Sequence, residues 1–364
     1  MTFFDRLKRP LSLLLALLLL SLSLSACGGE KYPMRQSTVE EREIVLTLGE
    51  DDVAMEMLHT FFTNAALSEK EYGDGFFDGD EGGAHFDAVM EKAIGNLAEI
   101  YALFAHCRTV GIDPYSEEMD EKVASYVEKN MEGGEFAGYA LPSFKDYDAY
   151  LAYLKRNFHM NDAVSRVLLR YAACEEALIE YYNRSYSYTR EEVAAFFSSD
   201  ACIRVNWFRQ VGYETGKGLP FEDAMRLMQN AQENLRNAAG NQNKLEAVFI
   251  NSFPPSSTSE IQNGFYIGHY TWDPAYLGGL TEMAFRLPDY GVSEIFEAAD
   301  GGLYIAYRLP KIEDDITAKY ESIEALYLSE KMYKALADKK ADLLGSVTYA
   351  EGFSSLTAID LMAE

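Results

Sequence analysis

The sequence is poor in the residue types that build common catalytic and metal sites. It has 364 residues, of which 4 are cysteines and 5 are histidines, and it contains neither an HExxH nor a CxxC motif. Because zinc sites draw their ligands from such paired residues, no metal site is expected. The sequence also lacks a P-loop, a GxSxG elbow and a GxGxxG turn after a strand, which argues against nucleotide, hydrolase and dinucleotide chemistry. It therefore indicates no cofactor.

Positive charge is scarce as well. Lys and Arg number 32 against 58 Asp and Glu, which gives a formal net charge of -26. Such an acidic surface repels phosphate backbones, and no local basic patch offsets it, so nucleic acid is excluded as a partner. The 48% hydrophobic and 25% charged residues are typical of a folded globular protein, which excludes wholesale disorder.

The first 26 residues have the pattern of a secretory leader. Arg6, Lys8 and Arg9 precede an apolar run from Leu11 to Leu20, which is too short for a typical membrane span. Leu24-Ser-Ala-Cys27 then matches the bacterial lipobox. That resemblance implies cleavage before Cys27 and lipidation of its thiol, which would anchor the chain to the extracytoplasmic face of the cell membrane. Residues 27–42 are interpreted as the lipidated tether.

Three cysteines remain after the leader. Cys107, Cys174 and Cys202 lie far apart in apolar stretches. An odd number of widely spaced cysteines predicts no disulfide framework. The pattern favours buried free thiols that act as small hydrophobic side chains.

An acidic, glycine-rich loop spans residues 71–85. Asp78 and Asp80 fit the alternating ligands of a calcium loop, but Val89 stands where the bidentate glutamate belongs. The segment 74–81 is therefore interpreted as a solvated loop, and calcium binding there stays an open alternative.

The apolar periodicity changes along the chain. Residues 86–183 repeat apolar side chains every three or four positions, which predicts helices, one of them capped by Asp113. Thr189-Arg-Glu-Glu192 predicts a capping box that opens a further short helix. Residues 200–310 alternate strand, helix, strand and glycine-rich turns, with strands over 202–211, 245–251 and 303–309 and a helix over 273–285. Residues 313–344 return to one long helical pattern, and a closing strand is predicted over 346–356. The prediction is an α+β chain in which mainly helical ends enclose an α+β insert.

This organisation sets the predicted domain boundaries. The helical N-terminal domain is assigned to 43–198, the inserted domain to 199–311, and a C-terminal helix and tail that pack on the N-terminal domain to 312–364. The leader at 1–26 and the tether at 27–42 precede them.

Five segments in the insert carry a resemblance to a known family. They come in that family's order and close to its spacing: Phe221-Glu-Asp-Ala224, Asn263-Gly-Phe-Tyr-Ile-Gly268, Met283-Ala-Phe-Arg-Leu287, Gly291-Val-Ser-Glu294 and Asp300-Gly-Gly-Leu-Tyr-Ile305. The insert resembles the parvulin class of peptidyl-prolyl isomerases. The whole arrangement over about 43–345 looks like the extracytoplasmic foldase lipoproteins of the PrsA kind and their SurA relatives, in which helices from both chain ends form a chaperone lobe.

The resemblance implies a proline pocket, and the sequence departs from it. Where parvulins usually carry histidines on the first and last strands, this chain is expected to have Asn206 and Tyr304, close enough to share a buried hydrogen-bond network. The implied pocket is apolar and contains Ile267, Tyr276, Leu280, Met283 and Phe285. Tyr276, Leu280 and Met283 follow one another at spacings of four and three, which predicts a shared helical face.

Three functions stay open on the sequence. The first is a lipid-anchored isomerase that assists the folding of exported proteins and binds unfolded chains containing proline. The second is a chaperone of the same architecture that binds peptide without catalysis, its pocket residues being ordinary core. The third is a solute-binding lipoprotein, which would need two α/β lobes and conflicts with the helical stretch 86–198.

Overall fold

The fold is described from a computed structural model of the chain. The described residues are 43–69, 72–136, 139–210, 220–238, 240–241, 244, 248, 264–270, 279–297 and 302–362. The leader, the tether with Cys27, and Tyr276 lie outside them. The strand predicted over 245–251 also lies outside them, apart from Val248, which is helical.

The chain divides into two compact units. Unit 1 takes the two chain ends, up to Arg184 and from Lys334 onward, and unit 2 comprises Ser185–Tyr333. The described part is α+β and mainly helical. None of its helices is both long enough and apolar enough to cross a membrane.

Unit 1 is built from helices that follow one another along the chain. They are α1 Met55–Leu67, α2 Gly79–Thr109, α3 Glu117–Met131, α4 Tyr147–Phe158 and α5 Asp162–Arg184. Side-chain oxygens of Ser116 and Asp146 accept bonds from the first turns of α3 and α4, which satisfies backbone donors that helices leave free. Helix α3 therefore starts after Ser116, whereas the sequence placed the cap at Asp113.

The acidic loop leads into α2. Asp78 precedes its first residue, and Asp80 and Glu81 lie in its first turn. Negative charge is favourable at this end of a helix because the backbone dipole is positive there. Stabilisation of α2 therefore explains why these acidic residues lie at its start.

A three-stranded antiparallel sheet joins the two chain ends in unit 1. Its strands are β1 Ile44–Leu48, β2 Asp51–Ala54 and, later in the chain, Thr348–Tyr349, in the order β2, β1, Thr348–Tyr349. Gly49 turns β1 into β2 with φ of 65°, and a Cβ there would lie 2.7 Å from a Leu343 methyl group. Only glycine fits this turn without strain.

In unit 1, the two small strands β3 Glu135–Phe136 and β4 Tyr139–Ala140 form a separate antiparallel ribbon.

Unit 2 contains α6 Arg190–Ser198, β5 Cys202–Gln210, α7 Phe221–Ala238, β6 Phe265–Gly268, α8 Leu280–Arg286, β7 Phe296–Glu297, β8 Leu303–Leu309 and α9 Asp315–Ala318.

The end of the chain completes the element order. Helix α10 Tyr320–Gly345 begins in unit 2 and contains the unit boundary. It is followed by β9 Thr348–Tyr349, a 3-10 turn Phe353–Ser355 and α11 Ala358–Leu361. The closing strand predicted over 346–356 is thus reduced to two residues.

Unit 2 contains an antiparallel four-stranded sheet in the order β6, β5, β8, β7. The register of the central pair is continuous from Arg204 opposite Leu309 to Gln210 opposite Leu303. Helix α7 packs on one face of this sheet, where Met228 and Leu235 meet Phe208, Ile305 and other residues of β5 and β8. A regular register of this kind fixes which side chains share a face.

The first boundary of the middle unit falls earlier than the sequence indicated, at Ser185 and not at residue 199. Helix α6, which opens with the predicted Thr189 and Glu192 capping box, packs through Phe197 on Cys202 and Tyr327. Lys311 also donates to the Phe197 carbonyl at 2.6 Å. These contacts place α6 with the sheet.

Candidate functional site

The sheet of unit 2 has two different faces. In β5, Ile203 and Val205 belong to the cluster that packs on α8, whereas Phe208 belongs to the cluster that packs on α7. Successive side chains of a strand point to opposite faces. Trp207 therefore lies on the α8 face and Asn206 on the α7 face, and the α8 face is the candidate site.

The floor of this face is closed apolar core. Its residues are all buried, and they come from three strands and α8: Ile203, Val205, Ile267, Leu280, Ala284, Tyr304 and Ala306. Close packing of this kind fixes the positions of whatever lies above it.

Larger apolar side chains surround the floor and stay partly exposed. We call them the apolar rim: Trp207, Phe265, Met283, Phe285, Leu287 and Phe296. The Trp207 and Phe265 rings meet edge to face with centroids 4.4 Å apart, a favourable arrangement for an aromatic pair. The rim thus combines solvent access with a rigid support.

The start of α8 positions one side of the rim. Gly279, the residue before α8, has φ of 77°, and a Cβ there would lie 3.3 Å from the Phe296 ring. Phe296 therefore packs directly over the backbone at this point. Because a left-handed Gly279 ends the helical path, α8 begins at Leu280 and the predicted helix over 273–285 does not run through it.

The end of α8 is held by Arg308 of β8. The Arg308 guanidinium donates to the Leu287 carbonyl at 2.9 Å and is 3.4 Å from the Phe285 carbonyl. A cation at the carboxyl end of a helix is favoured by both hydrogen bonding and the dipole. Arg308 thereby fixes Phe285 and Leu287 in the rim.

A polar contact ties the segment after α8 to the sheet. The Ser293 hydroxyl accepts from the Ala306 backbone N–H at 2.8 Å, and the Gln232 amide of α7 donates to the Ser293 carbonyl at 2.7 Å. Ser293 and Gln232 are buried, so these bonds satisfy polar groups that would otherwise be costly. They make the chain between α8 and β7 a fixed part of the site.

The structure corrects the expected pairing of Asn206 with Tyr304. Asn206 stands opposite Tyr307, and Tyr304 stands opposite Arg209. Since Tyr304 is part of the floor, the two side chains are on opposite faces of the sheet. The expectation failed because it did not follow how side chains alternate between the two faces along β5. That alternation places Trp207, and not Asn206, on the face that carries Tyr304.

The predicted pocket residues divide between floor and rim. Ile267 and Leu280 are each 1% exposed, so they support the site and do not line an open hollow. Met283 and Phe285 are partly exposed and belong to the rim. Tyr276 lies outside the described residues, and so does the helical face it was predicted to share with Leu280.

Sequence reasoning missed Trp207, Phe265, Phe296 and Arg308. The signal for the first was present, since Ile203, Val205 and Trp207 alternate in one strand. Phe265 could not be paired with Trp207 without the register of β6 on β5, in which Val205 stands opposite Phe265. The role of Arg308 depends on where α8 ends.

The chemistry of this face is apolar with few polar groups. The Tyr304 hydroxyl belongs to the floor, and the His269 ring meets the Phe285 ring edge to face with centroids 5.0 Å apart. Glu282 and Arg286 form an exposed ion pair at 2.9 Å on α8. Within the described part of the face, these groups suit the holding of an apolar segment better than transfer of a proton or attack by a nucleophile.

Similar solved structures are foldase proteins. One is the foldase protein PrsA from Streptococcus pneumoniae, at 13% identity over 85% of this chain and 96% of that chain, with a TM-score of 0.27. Another is PrsA from Bacillus subtilis, at 12% identity over 84% of this chain and 93% of that chain, with a TM-score of 0.24.

A third example is PrsA from Lactococcus lactis, at 14% identity over 86% of this chain and 98% of that chain, with a TM-score of 0.23. No protein-family model matches the chain, and no curated protein matches it. Because these TM-scores are low, the likeness is distant and assigns no function to this chain.

Proposed function

We propose that the chain is an extracytoplasmic protein-folding factor, anchored by lipid at Cys27, that binds segments of unfolded exported polypeptides on the α8 face of unit 2. The lipobox supports the location. The five parvulin-like segments support the class of activity. The observation that carries the proposal is the apolar rim, a group of half-buried aromatic and aliphatic side chains on a rigid floor.

The rim suits a proline-containing segment on physical grounds. The proline ring is apolar, and aromatic side chains offer it flat contact surfaces. Turning the X–Pro bond has a barrier of about 18–20 kcal/mol, and the twisted amide is less polar than the planar one. A site that removes water around the bond can therefore lower the barrier without a nucleophile or a proton donor. We accordingly assign prolyl isomerisation as the activity to be tested first.

The non-catalytic chaperone remains the second candidate, and one observation favours it. Asn206 and Tyr304 lie on opposite faces, so the described residues provide no polar pair at the positions expected from the family. A rim without that pair would still bind peptide. The solute-binding alternative is disfavoured because the paired strands of the described residues are antiparallel, whereas α/β lobes need parallel sheets.

An isomerisation assay separates the two candidates. We expect the full chain to accelerate cis–trans exchange in a proline tetrapeptide, and Met283→Ala to reduce this acceleration about tenfold because Met283 is in the rim. Met225→Ala is the matched control, since Met225 belongs to α7 and packs on the opposite face of the sheet. This variant should retain the wild-type rate.

One outcome of this assay would contradict the isomerase assignment. If neither the wild-type chain nor the control accelerates exchange beyond the uncatalysed rate, the isomerase assignment is wrong. Binding of the same peptide by the wild-type chain would then leave the chaperone function in place.

A further inference from the structure

Two of the buried cysteines lie against each other in unit 1. Cys107 is near the end of α2 and Cys174 is in the middle of α5, 67 positions further on, and both are 0% exposed. The Cys107 sulfur lies 3.7 Å from the Cys174 carbonyl oxygen. Helix packing thus brings together two cysteines whose wide separation in the sequence argued against a disulfide.

The neighbouring Cys174 and burial both raise the pKa of the Cys107 thiol. The third cysteine that the structure describes, Cys202, belongs to unit 2, where Phe197 and Tyr327 cover it. Cys107 and Cys174 are therefore the natural partners within unit 1.

We propose that Cys107 and Cys174 form a disulfide when the chain folds in an oxidising environment. The oxidant is a small disulfide such as oxidised glutathione. A thiolate of one cysteine attacks it and releases one reduced thiol, and the second cysteine then displaces the other half as a second thiol. The chain loses two protons and two electrons, and together they reduce the oxidant to two thiols.

Burial determines when this reaction takes place. Because neither thiol of the folded chain is exposed, a soluble oxidant reaches them only before α2 and α5 are fully packed. Once formed, the bond is protected in the same way. The cross-link restricts the unfolded chain over a long loop, which is the condition under which a disulfide stabilises most in the chain-entropy description.

Peptide mapping tests the proposal directly. The full chain, with Cys27→Ser to remove the thiol of the lipobox, is unfolded under reducing conditions and refolded with and without oxidised glutathione. It is then alkylated in denaturant and cut with trypsin. After oxidative refolding we expect peptide 93–108, which contains Cys107, to be linked to peptide 171–184, which contains Cys174, while Cys202 is alkylated.

Thermal unfolding gives a second readout. The oxidised chain should unfold roughly 5–15 °C above the reduced chain. The difference should disappear in Cys107→Ala and persist in Cys202→Ala. Separate alkylated peptides for Cys107 and Cys174 after oxidative refolding, or a link from either of them to Cys202, would overturn the proposal, and neither result depends on the proposed function.

Discussion

Replacement of Glu175 by glutamine is expected to stabilise the chain by about 3–5 kcal/mol at pH 8 and by less than about 1 kcal/mol at pH 5. Glu175 lies in α5 and is only 8% exposed. Burial, with a smaller contribution from the neighbouring charge of Glu176, raises the pKa of its carboxyl from 4.5 to about 8. The carboxyl is therefore protonated in the folded chain under conditions that ionise it in the unfolded chain.

The sign of the pH dependence follows from this difference. Between the unfolded value of 4.5 and the folded value of about 8, the folded chain binds more protons at this site than the unfolded chain. The stability associated with Glu175 is complete below the unfolded pKa and is lost as the pH rises through the folded pKa. Glutamine keeps the shape of the protonated acid and cannot ionise, so it removes the loss.

Urea unfolding of the full chain at pH 5 and pH 8 measures the effect. Glu180→Gln is the matched control, because Glu180 is on the same helix but exposed, in an ion pair with Arg184, and should change stability by less than about 1 kcal/mol. Other groups that titrate in this range are common to both proteins and cancel in the difference. An equal effect of Glu175→Gln at the two pH values would contradict a buried, protonated Glu175.

Truncation of the rim should produce the largest loss of binding. We expect Phe285→Ala to weaken binding of an unfolded polypeptide by tenfold or more, since a central aromatic side chain at an interface commonly contributes about 2 kcal/mol or more. Phe285 is partly exposed, and its backbone is held by Arg308. The ring can therefore be removed with little change to the floor.

The control for this variant is Phe221→Ala. Phe221 is 41% exposed and starts α7 on the other face of the sheet, so the same truncation there should leave affinity within about twofold. Affinity is measured by fluorescence anisotropy of a labelled, proline-containing peptide, and the thermal midpoints of both variants confirm that each is folded. Equal losses in the two variants would show that the rim is not the binding surface.

Much of the fold follows from local sequence signals. Strand β8 agrees with the predicted 303–309, the Thr189 capping box opens α6 as expected, and β5 begins at Cys202 as predicted. Each of these depends on a short-range pattern of apolar alternation or capping. Such patterns are complete within about ten residues, so a single sequence carries them.

The site was less accessible because it depends on relations between segments. Deciding whether Asn206 lies beside Tyr304 required the register of β5 against β8. A shift of that register by one residue moves each side chain of the strand to the other face of the sheet. The start of α8 depended on the conformation of Gly279. Tertiary packing decided that Met283 is partly exposed while Leu280 is buried. The contact between Cys107 and Cys174 likewise arises from two distant helices.

Methyl NMR on the full chain tests the central claim most directly. In protein labelled at the methionine methyl groups, the Met283 signal is identified by its loss in Met283→Leu and the Met225 signal by its loss in Met225→Leu. Addition of an unfolded peptide with an aromatic–Pro bond should shift the Met283 signal in proportion to occupancy and leave the Met225 signal unchanged. A saturable shift of Met225 with Met283 unmoved would contradict binding on the α8 face.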